Sequence, residues 1–247
     1  MADTDSVIDQ VRNALRSEPR VDAAHHPLEL KWEGGDLTIE GEVADIAAKK
    51  LALERAAAIP GVSAIVDRLH VTPAQRMGDD AIRDHVRDAL LQEPALSLCA
   101  LQVQDKGSIV AVRLPDPANG NIVVSVAEGV VTLDGDLPGL AQKRLAGVLA
   151  WWVPGSRDVV NGIGITPPEA DDDAQITDAV RIALEKDPFV NPAAISVSTR
   201  EAVVTLDGVV PTLSEREMAE FDAWYVFAVD KVRNRIEVRS GPPQGAA

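Results

Sequence analysis

One short pattern, V-R-x-A-L-x-x-[ED]-P, occurs three times in this chain, at Val11–Pro19, Val86–Pro94 and Val180–Pro188. A second block follows each copy: Leu37-Thr-Ile-Glu-Gly41, Val131-Thr-Leu-Asp-Gly135 and Val204-Thr-Leu-Asp-Gly208. The segments 28–71, 122–165 and 195–238 then align without a gap. A repeat at this spacing means one supersecondary unit used three times, with each copy too small to bury much surface alone.

The residue types give each copy its elements. Val7, Val11, Ala14 and Leu15 fall at i, i+4, i+7 and i+8, one apolar face of a helix, and Ile82/Val86/Ala89/Leu90 and Ile176/Val180/Ala183/Leu184 repeat it. The proline of the pattern ends that helix, because the residue before a proline is pushed out of the α region. Leu28/Leu30/Trp32, Ile122/Val124/Val126 and Ile195/Val197/Thr199 alternate as half-buried strands do. Each runs through a short polar turn into the V-T-L-D-G strand, making a hairpin. Second helices are expected over about 44–58, 138–152 and 211–226, and last strands over Ile65–Val71, Val159–Ile165 and Val232–Val238. The fold expected is α+β: three tandem αββαβ units, each a small mixed three-stranded sheet with two helices on one face and a right-handed crossover.

The units divide as 1–75, 76–168 and 169–240, with a disordered tail at 241–247 and linkers near 73–80 and 167–174. The second unit carries an insertion near 95–121. There, Leu101/Val103 and Ile109/Ala111 alternate around Asp105-Lys106-Gly107, the pattern of an additional hairpin.

Composition narrows the function classes. With 24 Lys+Arg against 39 Asp+Glu, the net charge of −15 argues against nucleic acid, whose phosphates call for clustered cations. One cysteine, Cys99, excludes an internal disulfide framework and a Cys-built zinc site. The acidic start and the lack of a long apolar run point to a cytoplasmic chain with no transmembrane segment. No Walker loop, GxSxG or HExxH is present, so neither an enzyme nor a metal or cofactor is expected. His25, His26 and His85 read as surface histidines.

These repeats resemble the BON domain, named for bacterial osmotic-stress and nodulation proteins. The carriers are Gly129–Gly135, Glu201–Gly208, the Pro60-Gly61-Val62 and Pro154-Gly155 turns, and the V-x-N-x-[IL] strands. The resemblance implies a non-enzymatic module that binds phospholipid or envelope-stress partners in the osmotic or general stress response. The third copy departs from the pattern, with Phe227-Ala228 in place of Pro-Gly, and a tighter turn is expected to be lost there.

Two groups of residues stand out. Gly41, Gly135 and Gly208 recur where a side chain would clash, and Asp67, Asn161 and Asn234 recur on the inward register of the last strand, where a polar group caps nearby backbone. Trp151-Trp152 and Trp224-Tyr225 end the second helices of the second and third units, where the first has Ala57-Ala58. Neighbouring helix residues point about 100° apart, so both members of a pair can hardly face one small core. They fill core and join repeats, or they dock on a lipid surface or a protein partner, with Lys143, Arg144 and Arg157 as cationic neighbours. Two functional readings follow: a peripheral binding scaffold engaging its partner through local aromatic contact, or, as the resemblance implies through relatives associated with potassium sensing, a small-ligand or potassium-ion sensor.

Overall fold

The computed structural model describes residues 4–169 and 171–239, so the 241–247 tail lies outside the described residues. The chain forms two compact units, 1–74 and 75–247.

The first unit holds one repeat: α1 (Thr4–Ser17), β1 (Glu29–Glu33), β2 (Asp36–Val43), α2 (Ile46–Ala57) and β3 (Ala64–Val71). β1 pairs antiparallel with β2, and β2 pairs parallel with β3 across the α2 crossover. The expected face of α1 is the one that packs: Val7, Val11 and Leu15 are buried with Leu37, Ile39 and Leu69 of the sheet and Ala48, Ala52 and Ala56 of α2. Burying each such Val or Leu contributes roughly 1.5–3 kcal/mol. The second helix starts at Ile46 rather than at about 44, because Asp45 stays extended and accepts a hydrogen bond from the Ala48 amide at 2.7 Å.

The second unit holds the other two repeats. Its first part is α3 (Asp79–Gln92), β4 (Ala100–Asp105), β5 (Ser108–Arg113), β6 (Asn121–Ala127), β7 (Val130–Leu137), α4 (Leu140–Trp151), β8 (Asp158–Asn161) and β9 (Gly164–Ile165). Its second part is α5 (Asp173–Lys186), β10 (Ile195–Arg200), β11 (Val203–Val210), α6 (Leu213–Tyr225) and β12 (Lys231–Val238). The third sheet is three-stranded, in the order β10-β11-β12.

The middle sheet has six strands rather than three. Its order is β5-β4-β6-β7-β8, with β9 beside β7. Two strands come from the insertion, whose hairpin closes through Lys106 and Gly107, both at positive φ. The last strand is broken in two at Gly162, whose amide donates to the Leu133 carbonyl at 2.8 Å. Arg113 ties the insertion down by donating to the carbonyls of Cys99 at 3.0 Å and Leu96 at 2.6 Å. Cys99 itself is buried, and burial pushes its thiol pKa up.

Gly135 and Gly208 sit where hairpin strands approach most closely. Both have positive φ, and a Cβ would overlap the carbonyl oxygens of Asn121 and Ala194. Gly41 is less crowded, with the Leu28 side chain 2.9 Å from where its Cβ would lie.

Candidate functional site

The aromatic pairs gather where the second and third repeats meet. Trp151, at the end of α4, stacks on Tyr225, at the end of α6, with ring centroids 5.7 Å apart and planes 18° apart. The Trp152 indole N–H donates to the Asp222 carboxylate at 3.0 Å. Trp224 is 2% exposed and belongs to the interior. Trp151, Trp152 and Tyr225 are half-buried.

The cationic candidates are spread over different contacts rather than one outward patch. Arg144 is 1% exposed; its guanidinium donates to the Asp171 carboxylate and to the Phe227 carbonyl. Lys143 lies over the Phe227 ring, 5.0 Å from its centroid. Arg157 donates to the Glu128 carbonyl at 3.2 Å, at the hairpin turn of β6 and β7. A further ion pair, Lys186 to Glu93 at 2.8 Å, links the end of α5 to the turn after α3. The turn before β12 keeps its shape despite Phe227-Ala228, contrary to the sequence expectation. Ala228 takes the left-handed conformation at φ 68°, as Gly61 does at 101°.

Asp222 is a buried acid of this junction. It has the Asp187 carboxylate beside it, and its pKa is pushed up to about 8. Burial is the main cause and the Asp187 charge adds to it, while the Trp152 hydrogen bond works in the opposite direction.

The recurring polar position joins last strand to second helix, by two different chemistries. In the first repeat, Asp67 accepts from the Leu69 amide and pairs with the buried Lys49 ammonium at 3.0 Å. Lys49 also donates to the Leu69 carbonyl at 2.7 Å. In the other repeats, Asn161 donates to the Lys143 carbonyl and Asn234 to the Arg216 carbonyl. Asn234 also accepts from the Ile236 amide at 3.1 Å, whereas the Asn161 Oδ1 has no partner among the described residues, so only Asn234 reaches neighbouring backbone as well as the helix.

The sequence marks Asp171-Asp172-Asp173 as helix-capping or solvated acids and does not single out Asp79; the turn contacts of Asp79 and Asp173 go beyond that reading. Each stands at the start of the first helix of its repeat, and its carboxylate accepts two amides of the hairpin turn. Asp79 takes those of Glu128 and Gly129, and Asp173 those of Glu201 and Ala202. These bonds hold the Asp173 carboxyl below its usual range. The available signal was an aspartate seven residues before each repeat valine, replaced by Thr4 in the first copy.

The model of one family, described as the BON domain, matches residues 3–73, 107–167 and 172–240. The chain belongs to the BON domain family. BON domains are non-catalytic binding modules, and this chain is built from three of them in tandem. The match to the middle BON copy starts at residue 107, so the insertion separates its first helix from the rest. No curated protein matches the chain. Among the solved structures that align with it are two of CdsD, a structural protein of the type III secretion system of Chlamydia trachomatis. The first has 16% identity, covers 96% of this chain and 93% of that one, and gives a TM-score of 0.25. The second, its C-terminal domain, has 15% identity, covers 96% and 99%, and gives 0.24. Among the described residues, no helix of these BON repeats is long and apolar enough to cross a membrane, and no three His, Cys, Asp or Glu side chains gather to hold a metal.

Proposed function

We propose that this protein is a non-enzymatic scaffold of three BON modules that associates peripherally with phospholipid or with an envelope-stress partner, in the cytoplasm, during osmotic or general stress. The observation that carries this reading is the three family matches, which together take up most of the chain. The modules are taken as 1–75, 76–168 and 169–240. The aromatic edge that an outside surface can reach is Trp151 on Tyr225, both half-buried, with Lys143 nearby on the same helix as Trp151. Trp and Tyr suit a membrane–water boundary, where one side of the ring is apolar and the other wet.

Co-sedimentation of the full chain with phosphatidylcholine vesicles, and with the same vesicles containing phosphatidylglycerol, tests the lipid half. Binding that weakens in Trp151→Ala and changes little with salt is the expected outcome. No sedimentation with either vesicle removes phospholipid from the reading.

A further inference from the structure

The outward face of the third sheet carries cations that are in no ion pair among the described residues. The direction of the side chains follows from β12. Asn234 donates to α6 and Ile236 is buried, so Lys231, Arg233 and Arg235, on the alternate positions, face away from the helices. The registers place Lys231 beside Val203, Arg233 beside Thr205 and Arg235 beside Asp207, with Arg200 on the far side of Val203. Arg200, Arg233 and Arg235 are exposed and Lys231 is half-buried, and none of the four is in an ion pair among the described residues. The acids nearby are mostly engaged: Glu237 pairs with Arg239, and the Asp173 carboxylate is taken up by two amides, with the Arg200 charge close enough to act on it. Asp207 is the remaining acid in these rows.

The strip is peculiar to the third repeat. The aligned positions are Ala64, Val66 and Arg68 in the first repeat and Asp158, Val160 and Gly162 in the second. Arg68 has Glu40 beside it at 3.7 Å. In a chain of net charge −15, unpaired cations at i, i+2 and i+4 are a local reversal of sign.

The same strand has an open edge. β12 pairs with β11 on one side, and among the described residues no strand pairs its other side. Its outward amides and carbonyls are a template for another strand. A strand added there lies about 4.8 Å away, which brings its alternate side chains alongside Lys231, Arg233 and Arg235.

We propose that β12 binds an extended acidic segment of a partner protein as an added strand, with Asp or Glu at alternate positions facing Lys231, Arg233 and Arg235. Charge complementarity selects the segment, and backbone pairing to the open edge holds it. An anionic bilayer fits less well. The face has no aromatic anchor, its apolar residues are Val203 and Val209, and the rest of the chain repels such a surface. This inference stands independently of lipid binding.

The test uses the full chain and a fluorescein-labelled peptide alternating Glu and Val, read by fluorescence anisotropy. Binding is expected, weakening at high salt and weakening again when the peptide amides that would meet β12 are N-methylated. Arg233→Glu with Arg235→Glu should weaken it by about tenfold or more, since two exposed attractions become repulsions. Arg12→Glu with Lys106→Glu makes the same net-charge change elsewhere and should leave it intact. Unchanged melting of both variants shows that they fold. The proposal is overturned if the peptide does not bind, if it binds the Arg233/Arg235 variant equally, or if N-methylation has no effect. It is also overturned if phosphatidylglycerol vesicles, and not the peptide, require these two arginines.

Discussion

Ala57-Ala58 and Trp224-Tyr225 occupy the same place at the end of the second helix, in the first and third repeats, yet they do opposite things. Ala57 and Ala58 are exposed, and the unit that contains them holds one repeat. Trp224 is buried, Tyr225 stacks on Trp151 of the repeat before it, and the unit that contains them holds two. The alanine just before, Ala56 or Ala223, is buried in both repeats, so each module closes its own core in the same way. The difference lies in what the next two side chains offer. Two methyls give nothing to pack against, whereas Trp and Tyr each offer roughly 150–250 Å² of surface. At these two positions the third repeat thus gains one contact to the second, Tyr225 on Trp151, beside the Trp152–Asp222 and Lys186–Glu93 contacts.

The largest expected effect tests that comparison directly. Trp224→Ala leaves a cavity where one of the largest buried side chains sits, and should destabilise the second unit by roughly 3–5 kcal/mol. Hydrogen exchange reads the result by segment: protection should fall across 75–239 and hold in β2 and β3. Protection lost only within α6 and its own sheet would show that the aromatic junction does not bind the second and third repeats into one unit.

Much of each module was legible in the sequence because a module repeats. The period exposed the helix faces, the hairpins and the crossover, and the alternation around Asp105-Lys106-Gly107 marked the insertion hairpin. Helix starts were read two residues early because Asp45, Gly139 and Thr212 stay extended as caps. The junction was less legible, since its contacts occur once and have no period. Arg144 with Asp171, and Trp152 with Asp222, join residues far apart in the chain through pairings that no spacing rule marks. Trp151 and Trp152 stand out in the sequence as a pair, but only the packing shows what they touch.

A smaller effect sharpens the electrostatics of the junction, where the first repeat has no counterpart to Asp222. The folded state keeps this carboxyl protonated up to about pH 8, whereas an unfolded aspartate ionises near pH 3.9. Between those values the unfolded state binds fewer protons, so this group's contribution falls as pH rises, by up to about 1.4 kcal/mol per unit, and levels off above about 8. Asp222→Asn mimics the protonated form: it keeps the oxygen that accepts from Trp152 and presents an amide toward Asp187. At neutral pH the variant should gain about 2 kcal/mol once the cost of burying the amide is taken off. Its stability curve should also be flatter than that of the unsubstituted chain between pH 4 and 8. Parallel curves in urea titrations across that range would show that Asp222 ionises normally.

The smallest effect concerns the hairpin turns, where the repeats again differ. The first uses Gly34-Gly35, the second Glu128-Gly129 and the third Glu201-Ala202, all at positive φ. Two-residue hairpins favour this geometry because it matches strand twist, but a side chain in the left-handed region costs about 1–2 kcal/mol. The third repeat bears that cost at two residues and holds the turn through the Asp173 carboxylate, which accepts from the amides of both. Ala202→Gly should therefore stabilise the second unit by about 1 kcal/mol, measured by urea unfolding, part of the strain relief being offset by the greater freedom of glycine in the unfolded chain. In an Asp173→Ala background, where the carboxylate no longer holds the turn, the same glycine should gain more. Equal gains in both backgrounds would mean that the carboxylate and the turn strain act separately, and that the aspartate at the helix start serves only as a cap.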